Sequence, residues 1–181
     1  MNRNASPESL TVASMPCALG HVLLAASGRG VAWLSFGDEP DTMRAQLARV
    51  FARTEILSMD NQQAATEIAA TASAAVAALI NRGTPLPSLA LDPHGTPFQH
   101  AVWHALQQIP AGQTRSYSYV AQSIGKPGAA RAVASACANN RIALLIPCHR
   151  VIAADGRLSG YRWGVKRKAE LLARERSARD D

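Results

Sequence analysis

Cys148 follows an apolar run, Ile142 to Ile146, and a proline, and is itself followed at once by His149 and Arg150. A cysteine attacks carbon as its thiolate, and a free thiol is only slightly ionised near neutrality. Neighbours that take its proton or favour its charge therefore matter. His149 stands where a base is needed, acting directly or through a water, and Arg150 or a nearby helix N-terminus would favour the anion. The alternative is an inert, buried thiol beside a packed histidine. Cys17 and Cys137, the other two cysteines, are widely spaced and form no C-x-x-C pair, so neither a disulfide framework nor a zinc knuckle is supported. His94, His100 and His104 cluster in sequence, the last two as i,i+4 neighbours, but no third ligand or H-E-x-x-H pattern completes a metal site. They are expected to be surface histidines, and neither metal nor cofactor is expected.

The chain that must position these groups has 181 residues, 48% of them hydrophobic, which is enough for a packed core and argues against disorder. Aromatics are only 5%, so the packing is expected to be helix-rich, with small residues where elements approach closely. No apolar run is long enough to span a membrane, and MNRNASPESL has no signal-peptide core; a cytoplasmic chain is expected, nucleoid-associated if bacterial. Charge is unevenly divided. Through Leu91 six bases stand against seven acids, whereas from Asp92 onward thirteen stand against six. The net +6 therefore belongs to the second half and points to a polyanion, most simply nucleic acid.

Residues 1–9 read as a polar tail and 10–82 as an α/β domain. Ala18 to Phe36 holds two β-prone runs around Ser27-Gly28-Arg29-Gly30, a hairpin signal. Asp41 is expected to cap a helix with Met43, Leu47, Val50 and Phe51 at helical spacing. Glu55 to Leu57 suggests a short strand, and Asp60 to Asn81 a second helix carrying Ile68, Ala72, Val76, Leu79 and Ile80 on one face. Residues 83–93, broken by Pro85 and Pro87, read as the linker to a mainly α domain over 94–177, with 178–181 as a tail. There Thr96-Pro97 starts a helix whose apolar stripe runs from Phe98 to Ile109. Ser116 caps a short helix, Gly125-Lys126-Pro127-Gly128 makes a turn, and Ala129 to Asn139 forms a second helix, the layout of a helix-turn-helix. That second helix is nearly all Ala, Ser and Val, with Arg131 its only long polar side chain. It has little with which to read base edges, so sequence-independent binding is expected.

Residues Asp92 to about Ser177 resemble the active-site domain of the O6-alkylguanine-DNA alkyltransferases, or methylated-DNA-protein-cysteine methyltransferases, in the pattern of the bacterial adaptive-response members. The resemblance rests on Pro147-Cys148-His149-Arg150-Val151, Ser116-Tyr117, Gly125-Lys126-Pro127, Arg131-Ala132-Val133 and Ser159-Gly160-Tyr161-Arg162-Trp163-Gly164. It implies a ribonuclease-H-like α/β first domain and a winged-helix-like second domain. It also implies direct, single-turnover repair of O6-alkylguanine, with O4-alkylthymine a further candidate, after nucleotide flipping. In this pattern Cys148 accepts the alkyl group, His149 relays its proton through a water, Glu175 orients His149, and Asn140 braces the turn. Tyr117 helps rotate the nucleotide and protonates the leaving guanine. Arg131 fills the vacated stack, with Ala129, Ala130, Ser135, Tyr117 and Arg150 as further DNA-facing residues. Ser159, Gly160, Tyr161, Arg162 and Cys137 line the guanine pocket. The partner implied is double-stranded DNA bearing alkylated guanine, met by a monomer with no membrane attachment. Competing readings are a non-catalytic damage sensor, against which Cys148 argues; a helix-turn-helix regulator, against which the bare second helix argues; and a Cys-His hydrolase, whose partners normally come from distant positions.

Overall fold

Consecutive burial of Leu10, Thr11, Val12 and Ala13 marks a strand covered on both faces, β1 (Ser9–Cys17). It pairs antiparallel with β2 (Gly20–Ser27), which pairs antiparallel with β3 (Gly30–Gly37), while β4 (Glu55–Ser58) runs parallel to β1 on its other side. The sheet order is therefore β3-β2-β1-β4, and the expected hairpin turns at Gly28-Arg29. The expected polar tail is corrected at its end: Ser9 opens an interior strand, hard to read because its apolar and small residues do not alternate with polar ones. This computed structural model describes residues 7–58, 67, 70–74, 76, 88–158 and 160–180, in two units that divide between His94 and Gly95. Among the described residues no helix is long and apolar enough to cross a membrane.

One face of the sheet carries Leu10, Val12, Leu23, Ala25 and Trp33, which meet Met43 and Leu47 of helix α1 (Pro40–Val50) and Phe51 just beyond it. Trp33 and Phe51 stand edge to face at 6.3 Å. Asp41 does not cap α1. The N-cap is Glu39, without a side-chain bond; Pro40 supplies a preset φ at the first turn and Asp41 adds a charge favourable to the helix dipole there. Of the helix expected over 60–81, Glu67, Ala70 to Ala74 and Val76 are helical, with Ala72 and Val76 fully buried. The remainder, including Ile68, Leu79 and Ile80, lies outside the described residues, as do Gly83, Pro85 and Pro87.

The linker expected over 83–93 is corrected over its last residues. Val31 N–H donates to Ala90 O and Asp92 N–H to Val31 O, both at 2.9 Å, so this segment runs beside β3. Gly30 makes that approach possible: at φ 145° it holds a conformation L side chains avoid, and a Cβ there would sit 2.4 Å from Ala90 O. Buried Asp92 takes hydrogen bonds from Ser27 Oγ (2.7 Å) and Arg29 Nε (3.0 Å), with His94 Nε2 3.6 Å away. Burial alone would raise its pKa, but His94, Arg29 and Ser27 together hold it down at about 2. His94 is thus not a surface histidine: its side chain is 11% exposed and its ring meets Phe51 edge-on.

The second unit is mainly helical. Thr96 caps α2 (Pro97–Gln107) in a reciprocal box with Gln99, and Val102, Trp103 and Leu106 face inward. Ser116 Oγ accepts from Tyr119 N–H at the start of α3 (Tyr117–Ser123). The turn after it is a Schellman closure: Gly125 N–H bonds Gln122 O and Lys126 N–H bonds Ala121 O, both at 2.9 Å, with Gly125 at φ 68°. Helix α4 (Ala130–Ala138) follows, pinned to α2 by Trp103 Nε1–H donating to Ala136 O at 2.9 Å. Short strands β5 (Arg115–Ser116) and β6 (Val151–Ile152) pair in parallel, and α5 (Val165–Asp180) closes the unit.

Candidate active site

Between α4 and β6 the chain makes a tight buried turn, held by one side chain. Asn140, wholly buried, accepts from Ile142 N–H through Oδ1 at 2.9 Å, while its Nδ2 donates to Ile146 O at 2.8 Å and to Cys148 Sγ at 3.2 Å. Asn139, not Asn140, ends the helix, so Asn140 is a brace rather than a cap. The turn carries Leu144 at φ 65°, the sole described non-glycine residue in the left-handed region. It delivers Cys148, His149 and Arg150 as one turn of 3₁₀-helix.

His149, fully buried, donates from Nε2 to Glu175 Oε1 at 2.8 Å, so in the neutral ring Nδ1 holds the lone pair; Nδ1 is buried with no hydrogen-bond partner among the described residues. Burial depresses the His149 pKa against the bond and charge of Glu175, which raise it, while Arg150 and Lys168 add to the depression. Glu175 also accepts Arg150 Nη2–H at 2.7 Å and Gly112 N–H at 3.1 Å. Burial alone would raise its pKa, yet His149 and Arg150 hold it down at about 2. The Cys148 thiol is pushed up to about 11 by burial, opposed by Asn140 and by the charges of Lys168 and Arg162.

The thiol opens into a pocket of about 450 Å³. Ala134, Cys137 and Ala138, spaced three and four apart on α4, make one wall; Tyr117 of α3 and Gly160, Tyr161 and Arg162 make the rest. Tyr161 packs edge-on against Trp163 (5.1 Å) and His149 (6.5 Å). Arg162 is exposed, donating to Ala138 O at 3.1 Å. Of the expected pocket residues, Gly160, Tyr161, Arg162 and Cys137 come together, and Ser159 lies outside the described residues. Of those expected to face DNA, Arg131 and Ser135 are exposed on α4 and Ala129 and Ala130 are half-buried at its start.

Arg150 is corrected. Its side chain is 14% exposed, and the guanidinium is spent on Glu175 and on the carbonyl of Ile109, not on the outer surface. Lys168 and Arg162 are cations whose charge lowers the Cys148 pKa against burial. Lys168, absent from the sequence reading, is completely buried; its Nζ donates to Val151 O at 2.6 Å and Gly160 O at 3.4 Å, joining the strand after the thiol turn to the pocket loop. A signal existed, because Lys168, Leu171, Leu172 and Glu175 share one helical face and all are buried.

With this geometry in place, comparison with known proteins is informative. Residues 97–177 match the family model described as 6-O-methylguanine DNA methyltransferase, DNA binding domain. The chain is 49% identical over 161 residues to the bifunctional transcriptional activator/DNA repair enzyme Ada of Escherichia coli, covering 88% of this chain but 43% of that relative, so it spans less than half of that protein's length. The crystal structure of Mycobacterium tuberculosis O6-methylguanine methyltransferase superposes with a TM-score of 0.72 at 34% identity, covering 94% of this chain and 93% of that one. The same mycobacterial protein in complex with DNA gives a TM-score of 0.75 at 35% identity over 94% of each chain. Likeness at that identity over nearly the whole of both chains, together with the family match across the thiol-bearing unit, establishes that this chain belongs to the O6-methylguanine-DNA methyltransferase family.

Proposed function

We propose that this protein repairs O6-alkylguanine in double-stranded DNA by moving the alkyl group onto Cys148, once per molecule. The observation that carries this reading is the Cys148 thiol opening into a pocket while held by Asn140 and followed by His149, whose ring is locked to Glu175. Burial holds the thiol pKa up at about 11 and so favours the protonated form, and the proton leaves once substrate is seated. Neutral His149 takes that proton at Nδ1, directly or through a water. The Sγ–C bond forms as the C–O6 bond breaks, the electron pair goes to the guanine oxygen, and Tyr117 supplies the proton that neutralises the leaving base. The product thioether has no carbonyl for water to attack, so the thiol is not regenerated.

Reaching the alkyl group requires turning the nucleotide out of the stack, at a cost of a few kcal/mol, less for a mispaired base; Arg131 on the exposed face of α4 fills the gap. O4-alkylthymine offers the same kind of ether carbon and is the second substrate. The protein acts as a monomer in the cytoplasm, on the nucleoid in a bacterium. Its first unit is ribonuclease-H-like and the second, which begins at Gly95 rather than at the expected His94, is a winged-helix-like DNA-binding and active-site domain. Mixing the protein with O6-methylguanine duplex, weighing it intact and then mapping its peptides tests the reading: one added methyl on a peptide containing Cys148 is expected, and Cys148→Ala should bind the duplex without acquiring it. Methylation surviving in that variant would move the acceptor to Cys137 or Cys17.

A further inference from the structure

Glu175 is held from three sides. Oε1 accepts from His149 Nε2 (2.8 Å), Arg150 Nη2 (2.7 Å) and Arg150 Nε (3.1 Å), and Oε2 from Gly112 N–H (3.1 Å) and the same Arg150 Nε (3.1 Å). Arg150 further anchors itself on the carbonyl of Ile109 in the loop after α2. A guanidinium is planar, always charged and suited to a carboxylate fork, which sets it apart from a lysine at the same place. A buried ionised carboxylate facing only an imidazole would draw a proton onto that ring and keep it there, leaving no base to receive the thiol proton.

We propose that Arg150 is a positioning residue for alkyl transfer: by clamping Glu175 it fixes the carboxylate that orients His149 and shares its charge, so His149 rests as a neutral base. This inference rests on His149 being the base of the proposed transfer. The groups facing His149 are Glu175 and Lys168 from α5, Cys148 and Arg150 from its own turn, and Tyr161 from the pocket loop. Burial is the largest influence disfavouring a charge on the ring; Glu175 draws a proton toward it, and Arg150 and Lys168 oppose Glu175. Removing Arg150 therefore raises the pH at which His149 becomes neutral. Its effect on rate is greatest in acid, where loss of the neutral base adds to loss of orientation, and smaller above that pH.

The test is an NMR titration of His149 in the full chain without DNA, assigned with His149→Gln, beside the pH profile of single-turnover transfer. In the wild type His149 should titrate below the ordinary value of about 6.5. In Arg150→Met its titration and the acid limb of the rate profile should both move up by about one unit, a loss that approaches about tenfold only below the wild-type titration and shrinks toward alkali. Arg150→Lys, keeping the charge, should titrate near the wild type. An unmoved His149 in Arg150→Met, a rate loss equal at every pH, or a lysine variant behaving like methionine would each overturn the proposal. Should Arg150→Met not fold, a wild-type His149 titrating at or above about 6.5 overturns it alone. Because the titration involves no DNA, its failure is distinct from failure of the repair reading, which would show as absence of methylation at all pH values.

Discussion

Asn140 commits its whole amide to the turn that presents Cys148, and all three of its partners are buried. Replacing it with alanine leaves the buried Ile142 N–H without that acceptor, while the Ile146 carbonyl keeps Cys148 N–H at 2.8 Å, and an unsatisfied buried group costs about 1–3 kcal/mol. Asn140→Ala is therefore expected to lower the thermal midpoint clearly and to slow transfer, because the thiol loses both its position and the donor that opposes its raised pKa. An unchanged midpoint would remove the brace from the fold's energetics. That Asn140, Cys148, His149 and Glu175 come together was legible for Cys148 and His149 from their adjacency and for Asn140 and Glu175 only through the family resemblance. Arg150 and Lys168 were not. A basic letter in a basic segment reads as solvated, and only the folded arrangement shows Arg150 forked onto Glu175 and Lys168 capping two carbonyls.

At the scale of elements, the turn between α3 and α4 offers a matched pair of tests. Gly125 has φ 68° with open space around it, so a methyl group there meets no neighbour and the cost is purely one of backbone conformation. Gly125→Ala should destabilise by about 1 kcal/mol, within the range for an L residue forced left-handed. Gly128, equally open, is not left-handed, so Gly128→Ala should be neutral or stabilising by up to about 1 kcal/mol through the unfolded chain. Denaturant midpoints of the two variants check this, and equal destabilisation would deny the Schellman closure its role. Capping and turn chemistry made these helices readable, as Thr96, Ser116 and Gly125 each do what their types favour. Strand β1 and the segment beside β3 escaped because their burial comes from pairing partners distant in sequence, Ala25 to Val12 and Val31 to Leu91.

For the whole molecule, the excess of positive charge in the second half is narrower than its count suggests. Of thirteen bases from Asp92 onward, Arg150 is spent on Glu175, Lys168 is buried, and Arg157 and Arg174 pair with Asp155 and Glu170. Lys126, Arg131, Arg162, Lys166 and Arg176 are exposed without an acidic partner among the described residues. Each neutralised phosphate releases counterions and steepens the dependence of log K on log salt by about 0.9. Binding to undamaged duplex should therefore weaken with salt at a slope of about −5 or shallower, and Arg131→Ala should reduce that slope by about one. Sequence should matter little, because the exposed side chains of α4 are alanines, Ser135 and Arg131, with few groups able to tell one base edge from another. Titrating several unrelated undamaged duplexes over a salt series measures both quantities at once. A preference of about a thousandfold or more for one short sequence, the lower range for specific regulators, would contradict sequence-independent binding and make α4 a reading helix after all.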